Sequence, residues 1–489
     1  MSFPSEVPVT LLWVRNAMRV ADNPALAQAA ARGAVVPVFL YPESSRGPSA
    51  ADGARGGASR VWLHQALLDF DAALRGLGSA LVVRRTDDPV GELGRIAAEC
   101  GATAIYYDCR VEPDARVVES RVEQELGRRL EVRGWHANLL LIPGQILNGQ
   151  GEPFRVFTPF WRAACRQLGV YRLAEPPTRL RSPTGASGRP LPGLDIEALG
   201  LMPAHAWPGT LLSAWDMTAA GAERRWRGFA SDTPGALGNY GEGRDIPGTD
   251  GTSKLSPYLH FGQVSPRQLW NDVLRAQGQT HAEGLPEGPR RFLAELGWRE
   301  FAQQLLFHFP HTLTEPLNSK FAAFPWDANP RLLRCWQRGQ TGYPIVDAGM
   351  RQLWATGWMH NRVRMIVGSF LVKHLLLPWQ DGERWFWDTL VDADAASNTL
   401  GWQWAAGCGA DAAPYFRVFN PILQGLKFDP DGDYVRTWVP ELAEVPRAFI
   451  HAPWEYGLFR GVAYPEPIVD HSTARARALA AFARIKAGD

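Results

Sequence analysis

Glu295 and Trp298 stand one helical turn apart inside the mostly apolar run Phe292 to Phe301. Desolvation beside an indole favours the neutral form of a carboxyl group. A neutral acid can donate a hydrogen bond to a carbonyl. A second cluster is Gly357-Trp358-Met359-His360-Asn361-Arg362-Val363-Arg364-Met365. On one continuous helix, Trp354, Trp358, Asn361 and Met365 fall at i, i+4, i+7 and i+11 and share a face. A plain core disfavours the amide on such a face, because a buried amide needs partners. Residues 349–380 also hold Arg351, Arg362, Arg364 and Lys373 and no acid. A local surplus of that kind can meet phosphates on an otherwise neutral chain. Thr252-Ser253-Lys254-Leu255-Ser256 adds three hydroxyls and an ammonium before Pro257. Hydroxyls and backbone N–H groups entering a helix suit a phosphate or pyrophosphate, although such clusters also simply cap helices.

These groups need elements to hold them. The first 140 residues read as strands alternating with helices. Apolar runs lie at 9–14, 35–41, 81–83, 104–107 and 130–135, with amphipathic stretches at 60–77 and 113–129 between them. That alternation implies a parallel sheet covered on both faces. Residues 172–203 carry Pro176, Pro177, Pro183, Pro190, Pro192 and Pro203 among Ser and Gly, which is linker composition. From about 204 the spacing is helical, notably at 290–308, 345–356, 358–377 and 383–390. The organisation expected is an α/β domain at 5–137, an interdomain linker at 138–203 and an all-α domain at 204–489.

Composition narrows the function. The chain has 489 residues, 51 basic and 50 acidic, so bulk charge gives no attraction to nucleic acid. No apolar run is long enough to span a membrane, and Met1 to Glu6 carries no basic leader, so a cytoplasmic location is expected. Five cysteines with no CxxC pair argue against a disulfide framework or a thiolate metal site. His308 and His311 lack a nearby carboxylate and read as core or capping histidines, so no metal is expected. Gly407-Cys408-Gly409-Ala410-Asp411-Ala412 matches GxGxxA, yet follows no strand of the α/β half. Tryptophan is in excess, with 16 of 20 after residue 200.

Ordered motifs over nearly the whole chain resemble the cryptochrome/photolyase family. They are Leu12-Trp13-Val14-Arg15-Asn16 with Asp22-Asn23-Pro24-Ala25-Leu26, Thr341 to Ala348, Gly357 to Met365, Gly401-Trp402-Gln403-Trp404, Asp411 to Arg417 and Phe419-Asn420-Pro421. The resemblance implies a five-stranded, doubly wound antenna domain and a helical domain holding one FAD, active as FADH⁻. It places Tyr240, Thr252, Ser253, Lys254, Leu255, Ser256, Phe292, Arg364, Asp392, Asp394 and Asn398 around that FAD. Arg364 is implied as the salt-bridge partner in the acidic segment, and Asn398 as the amide facing flavin N5. Plant cryptochromes carry Asp at the position of Asn398.

Members that repair cyclobutane pyrimidine dimers are similar to this chain at Glu295, Trp298, Asn361, Arg362, Met365 and Trp404. Members that repair (6-4) photoproducts have His in place of Asn361 and Met365. The resemblance therefore implies light-driven repair of cyclobutane dimers in DNA by electron transfer from excited FADH⁻ to a flipped-out lesion. Catalytic roles fall on Glu295, Asn398, Trp298, Trp404, Asn361 and Met365. DNA contacts fall on Arg244, Glu295, Trp298, Asn361, Arg362, Arg417 and Gln424. Trp402, Trp379 and Trp326 match the family's electron-transfer chain. The partner expected is UV-damaged DNA, bound by a monomer without an obligate protein partner. The alternative is a cryptochrome-type photoreceptor without repair, against which stand Asn398 and the short chain after 474–486.

For the antenna chromophore, folate-using members often place an Asn-Glu pair after the fourth strand. Glu112 and Pro113 stand there instead. Methenyltetrahydrofolate is favoured over a deazaflavin or FMN, with a differently bound folate or an empty site open. Asn398-Thr399-Leu400-Gly401 leans towards the photolyase class nearest plant cryptochromes.

Overall fold

The structure is a computed structural model that describes residues 7–43, 55–183, 191–204, 206–231, 236–412, 416–456 and 463–486. Pro190 of the linker stretch, Met1 to Glu6 and Ala413 to Tyr415 of the Asp411 motif lie outside the described residues.

The N-terminal part runs β1 (Val9–Val14), α1 (Pro24–Arg32), β2 (Ala34–Tyr41), α2 (Gly57–Gly76), β3 (Val82–Arg85), α3 (Pro89–Cys100), β4 (Ala102–Asp108), α4 (Pro113–Arg121) and β5 (Glu131–Trp135). The sheet is parallel throughout, in the order β3-β2-β1-β4-β5. Every residue of the central β1 is buried, as a strand covered on both faces requires. Its side chains alternate between two cores. Leu12 and Val14 join the core of α2, while Leu11 and Trp13 join that of α3. The order reverses between β1 and β4, and ligands of such sheets sit at that switch point, beyond the carboxyl ends of the strands. Here Arg110 pairs with Glu112, and Arg55 donates to Asn16 Oδ1 at 3.0 Å.

Chain from the proline-rich stretch is docked on the sheet. Leu180 N–H donates to Leu77 O at 2.7 Å, and Leu194 N–H to Val83 O at 2.9 Å. A short helix, α5 (Phe157–Cys165), precedes it. The rest is helical: α6 (Trp207–Ala214), α7 (Ala219–Ala230), α8 (Tyr240–Gly243), α9 (Ser256–His260), α10 (Pro266–Ala276), α11 (Glu287–His308), α12 (Pro330–Gln337), α13 (Pro344–Thr356), α14 (Asn361–Ser369), α15 (Trp379–Thr389), α16 (Ala395–Ala406), α17 (Pro421–Phe428), α18 (Asp433–Trp438) and α19 (His471–Lys486).

The two parts meet backbone to backbone. Gly262 has φ +67°, and a Cβ there would stand 1.7 Å from Asn16 O. The buried Arg19 ties the seam, donating to Gly262 O at 2.8 Å and Ala137 O at 2.9 Å. The single core of α2 continues across it into α10 and α11. No helix among the described residues is long and apolar enough to cross a membrane, and all five cysteines are unpaired.

One expectation about helix continuity fails. The stretch 345–377 is two helices, because Gly357 closes α13 at φ +68° and the His360 side chain caps α14. Trp354 therefore leaves the face shared with Trp358, Asn361 and Met365. It is 48 % exposed and stacks with Trp207 and Trp385 instead. The GxGxxA match is likewise a helix end: Gly407, at φ +87°, closes α16.

Candidate active site

A cavity of about 610 Å³ opens between α8, α9, α11, α14 and α16. Its volume is that of a cofactor or substrate site. Tyr240, Arg244, Thr252, Ser253, Lys254, Leu255 and Ser256 line it from the α8–α9 side. Helix α11 contributes Phe292, Glu295 and Trp298, and α14 contributes Asn361, Arg362, Arg364 and Met365. Asp392, Asp394, Asn398, Trp402 and Trp404 complete the lining from α16 and the turn before it. Arg417, Gln424, Trp379 and Trp326 stand outside it. The Arg417 guanidinium lies 4.8 Å over the ring of Phe419.

The polar wall is built from fixed pairs. Arg364 Nη2 donates to both oxygens of the buried Asp392, at 3.1 and 2.8 Å. Ser256 Oγ donates to the same carboxylate at 2.6 Å. Asp394 caps α16 by accepting from Ser397 N–H at 2.8 Å. Burial alone would raise its pKa, yet His260, Arg299 and that N–H hold it below the usual carboxylate range. His260 also lines the cavity, and burial lowers its pKa. Its Nδ1 has no hydrogen-bond partner and sits 3.6 Å from Asp394. Asn398 donates to Glu383 twice, to the main-chain O at 3.1 Å and to Oε1 at 3.0 Å. That leaves its side-chain carbonyl as an acceptor. Burial pushes Glu383 up to about 7, against the pull of Asn398.

The aromatic wall is equally fixed. Trp298 stacks on Phe157 at 3.9 Å and 9°. Trp402 meets Phe386 edge-on at 4.9 Å. A Cβ on Gly382 would stand 2.1 Å from Trp402, so only glycine lets α15 approach that indole. Trp379 is buried at the start of α15, Trp326 is half-buried, and both pack in the core that contains Trp402.

Two sequence expectations are corrected. Glu295 is not desolvated beside the indole: its side chain is 30 % exposed and forms an ion pair with Arg244. Nor does 349–380 present a free basic surface. Arg351 pairs with Glu441, Arg362 with Asp245 and Arg364 with Asp392, while Lys373 is buried under Phe416. Sequence reasoning did not single out Glu383, Asp245 or His260. It also passed over Trp336, fully buried and 6.0 Å from Trp402. No local signal marks any of them, since each acts through a partner distant in sequence.

The model for the FAD binding domain of DNA photolyase matches residues 292–484, and that for DNA photolyase matches 10–181. A deoxyribodipyrimidine photo-lyase of Agrobacterium fabrum is 42% identical over 97% of this chain and 98% of its own. Cryptochrome-2 of Arabidopsis thaliana is 37% identical over 98% of this chain and 79% of its own. The crystal structure of a bacterial class III photolyase from Agrobacterium tumefaciens superposes with TM-score 0.91 at 41% identity, covering 99% of each chain.

Fold and cavity thus define a two-domain flavoprotein, with a parallel α/β domain seated on a helical FAD-binding domain. The chain belongs to the cryptochrome/photolyase family, and within it is an enzyme, a photo-lyase. The residues present fit FAD. Arg364 is held by Asp392, a buried His260 nitrogen is unpartnered in the wall, and Asn398 is fixed with its carbonyl unused.

Proposed function

We propose that this enzyme repairs cyclobutane pyrimidine dimers in DNA under blue light. One observation carries the reading. A single cavity is lined both by the residues suited to FAD and by Glu295, Trp298, Asn361, Met365 and Trp404, suited to a flipped dimer. FAD bound there in its reduced form supplies the light-driven electron.

The chain's own residues bind and orient. Trp298 and Trp404 offer flat walls, and the Phe157 stack keeps Trp298 from collapsing into the space. Glu295, paired with Arg244 at the cavity edge, is placed to hydrogen-bond the pyrimidine edge of the lesion. Splitting a cyclobutane ring needs no net proton transfer, and His360 is not among the residues that line the cavity. Its Nδ1 accepts from Arg362 N–H at 3.2 Å, and burial pushes its pKa down to about 4. That supports a cyclobutane substrate over a (6-4) photoproduct. Arg244, Arg362, Arg417 and Gln424 meet the DNA backbone. Trp402, Trp379 and Trp326 carry electrons inward from the surface. The enzyme acts as a cytosolic monomer, with methenyltetrahydrofolate favoured over deazaflavin or FMN as antenna.

The test is recovery of thymine absorbance from an oligonucleotide with one dimer, in blue light and in darkness, with reduced enzyme. Recovery only in light is expected. None, with FAD bound and photoreducible, would sink the repair reading in favour of a photoreceptor. Glu295→Ala is expected to lower the repair quantum yield severalfold while retaining FAD, and an unchanged yield would remove its role. Trp326→Phe is expected to abolish light-driven reduction of oxidised flavin yet leave repair by pre-reduced enzyme intact. Loss of both would contradict the wiring.

A further inference from the structure

Four charges alternate in a row at the cavity edge: Glu295, Arg244, Asp245 and Arg362. Arg244 pairs with Glu295, and its Nε lies 4.0 Å from Asp245 Oδ1. Asp245 accepts from Arg362 Nη2 with both oxygens, each at 2.9 Å. The same guanidinium lies 4.3 Å over the ring of Phe428. Three members of the row line the cavity; Asp245 is not among the lining residues, and its side chain is 33 % exposed.

We propose that Asp245 is a specificity-determining positioning residue, which withholds Arg362 from undamaged DNA and releases it when a lesion engages Glu295. The inference rests on the reading that Glu295 contacts the lesion. A phosphate of intact duplex must displace a carboxylate that already holds Arg362 through two charge-assisted bonds. The chain's near-zero net charge gives no bulk attraction to assist that exchange. A base hydrogen-bonded to Glu295 competes for the carboxylate of Arg244. Arg244, still facing the backbone, then draws on Asp245 through its Nε, and Asp245 divides between two guanidiniums. Arg362 is freed for a phosphate only after the lesion has entered. Recognition of damage and grip on the backbone are thereby coupled, and such coupling is reciprocal.

The test compares Asp245→Asn with the wild type on two otherwise identical duplexes, one carrying a cyclobutane thymine dimer, across a salt series. Asparagine keeps the shape and drops the charge. Affinity for the undamaged duplex is expected to rise severalfold, with its log–log salt slope steeper by about one contact's worth, roughly 0.9. Affinity for the dimer duplex is expected to hold within about twofold, so discrimination falls. Asp245→Glu, which restores the charge, is expected to recover most of it. Equal gains on both duplexes, or an unchanged salt slope, would overturn the proposal while leaving the repair reading intact. Wild-type enzyme that bound both duplexes equally would overturn the lesion reading, and the proposal with it.

Discussion

Replacing Asp392 with alanine is expected to yield protein that purifies without FAD and has no light-driven activity. Asp392 is 8 % exposed and is the shared acceptor for Arg364 and Ser256. Those two donors come from α14 and α9, on different sides of the cavity. Removing the carboxylate leaves the Arg364 guanidinium beside the cavity with only the main-chain O of Met359, at 2.8 Å. Deleting the carboxylate costs about 1–3 kcal/mol, less than for a fully buried pair, because the Arg364 side chain is 26 % exposed to solvent. The apoprotein should melt correspondingly lower. Asp392→Asn separates shape from charge. It can still accept from Ser256, so it should retain part of the flavin. The measurements are flavin absorbance per chain after gel filtration, and melting temperature with and without added FAD. Stoichiometric flavin in the alanine variant would remove Asp392 from the cofactor site.

The sheet was legible because buried parallel strands are nearly uninterrupted apolar runs. The β1 span 9–14 is read correctly to the residue, and the others differ by one or two at their ends. The cavity residues were legible through motif resemblance, and most of them line one space. The helix face ending at Trp354 was misread because apolar spacing runs on through Gly357, where the backbone does not. The electrostatics were the least legible part. The acids that neutralise Arg362 and Arg364 lie 117 and 28 residues away in sequence, and Arg244 reaches Glu295 across 51. A local count of charges sees a basic stretch, whereas the fold supplies its counterions. Glu383 was invisible for the same reason: its meaning lies in one contact with Asn398.

That contact sets up the other large effect. Asn398→Leu is expected to abolish light-driven repair and to weaken the fold in a way that grows with pH. Leucine keeps asparagine's branching at Cγ with somewhat bulkier ends, so the wall keeps its shape, but both hydrogen bonds to Glu383 are lost. A buried acceptor left without its partner costs about 1–3 kcal/mol. Glu383 already titrates near 7 because of burial, against an ordinary value of 4.5. Its contribution to stability is full below 4.5 and declines as pH rises towards 7, since the folded state then binds the proton more tightly than the unfolded. In the wild type the decline ends near 7, where the Asn398 amide supports the carboxylate. Without that amide the folded value rises further, and the decline continues above 7. The melting temperature of the variant should therefore approach the wild type at pH 5.5 and separate from it at pH 8.5. A gap independent of pH would mean that Glu383 does not bear the loss. Asn398→Asp distinguishes the amide's two ends. An ionised aspartate keeps an acceptor facing the cavity but offers no N–H to Glu383, and places a second carboxylate against it. Two acids at hydrogen-bond distance cannot both ionise, so one retains a proton at neutral pH. This variant should hold FAD yet differ from the wild type in the pH at which its reduced flavin is stable, read from the absorbance spectrum. An unshifted spectrum–pH profile would show that the amide oriented by Glu383 does not act on the flavin.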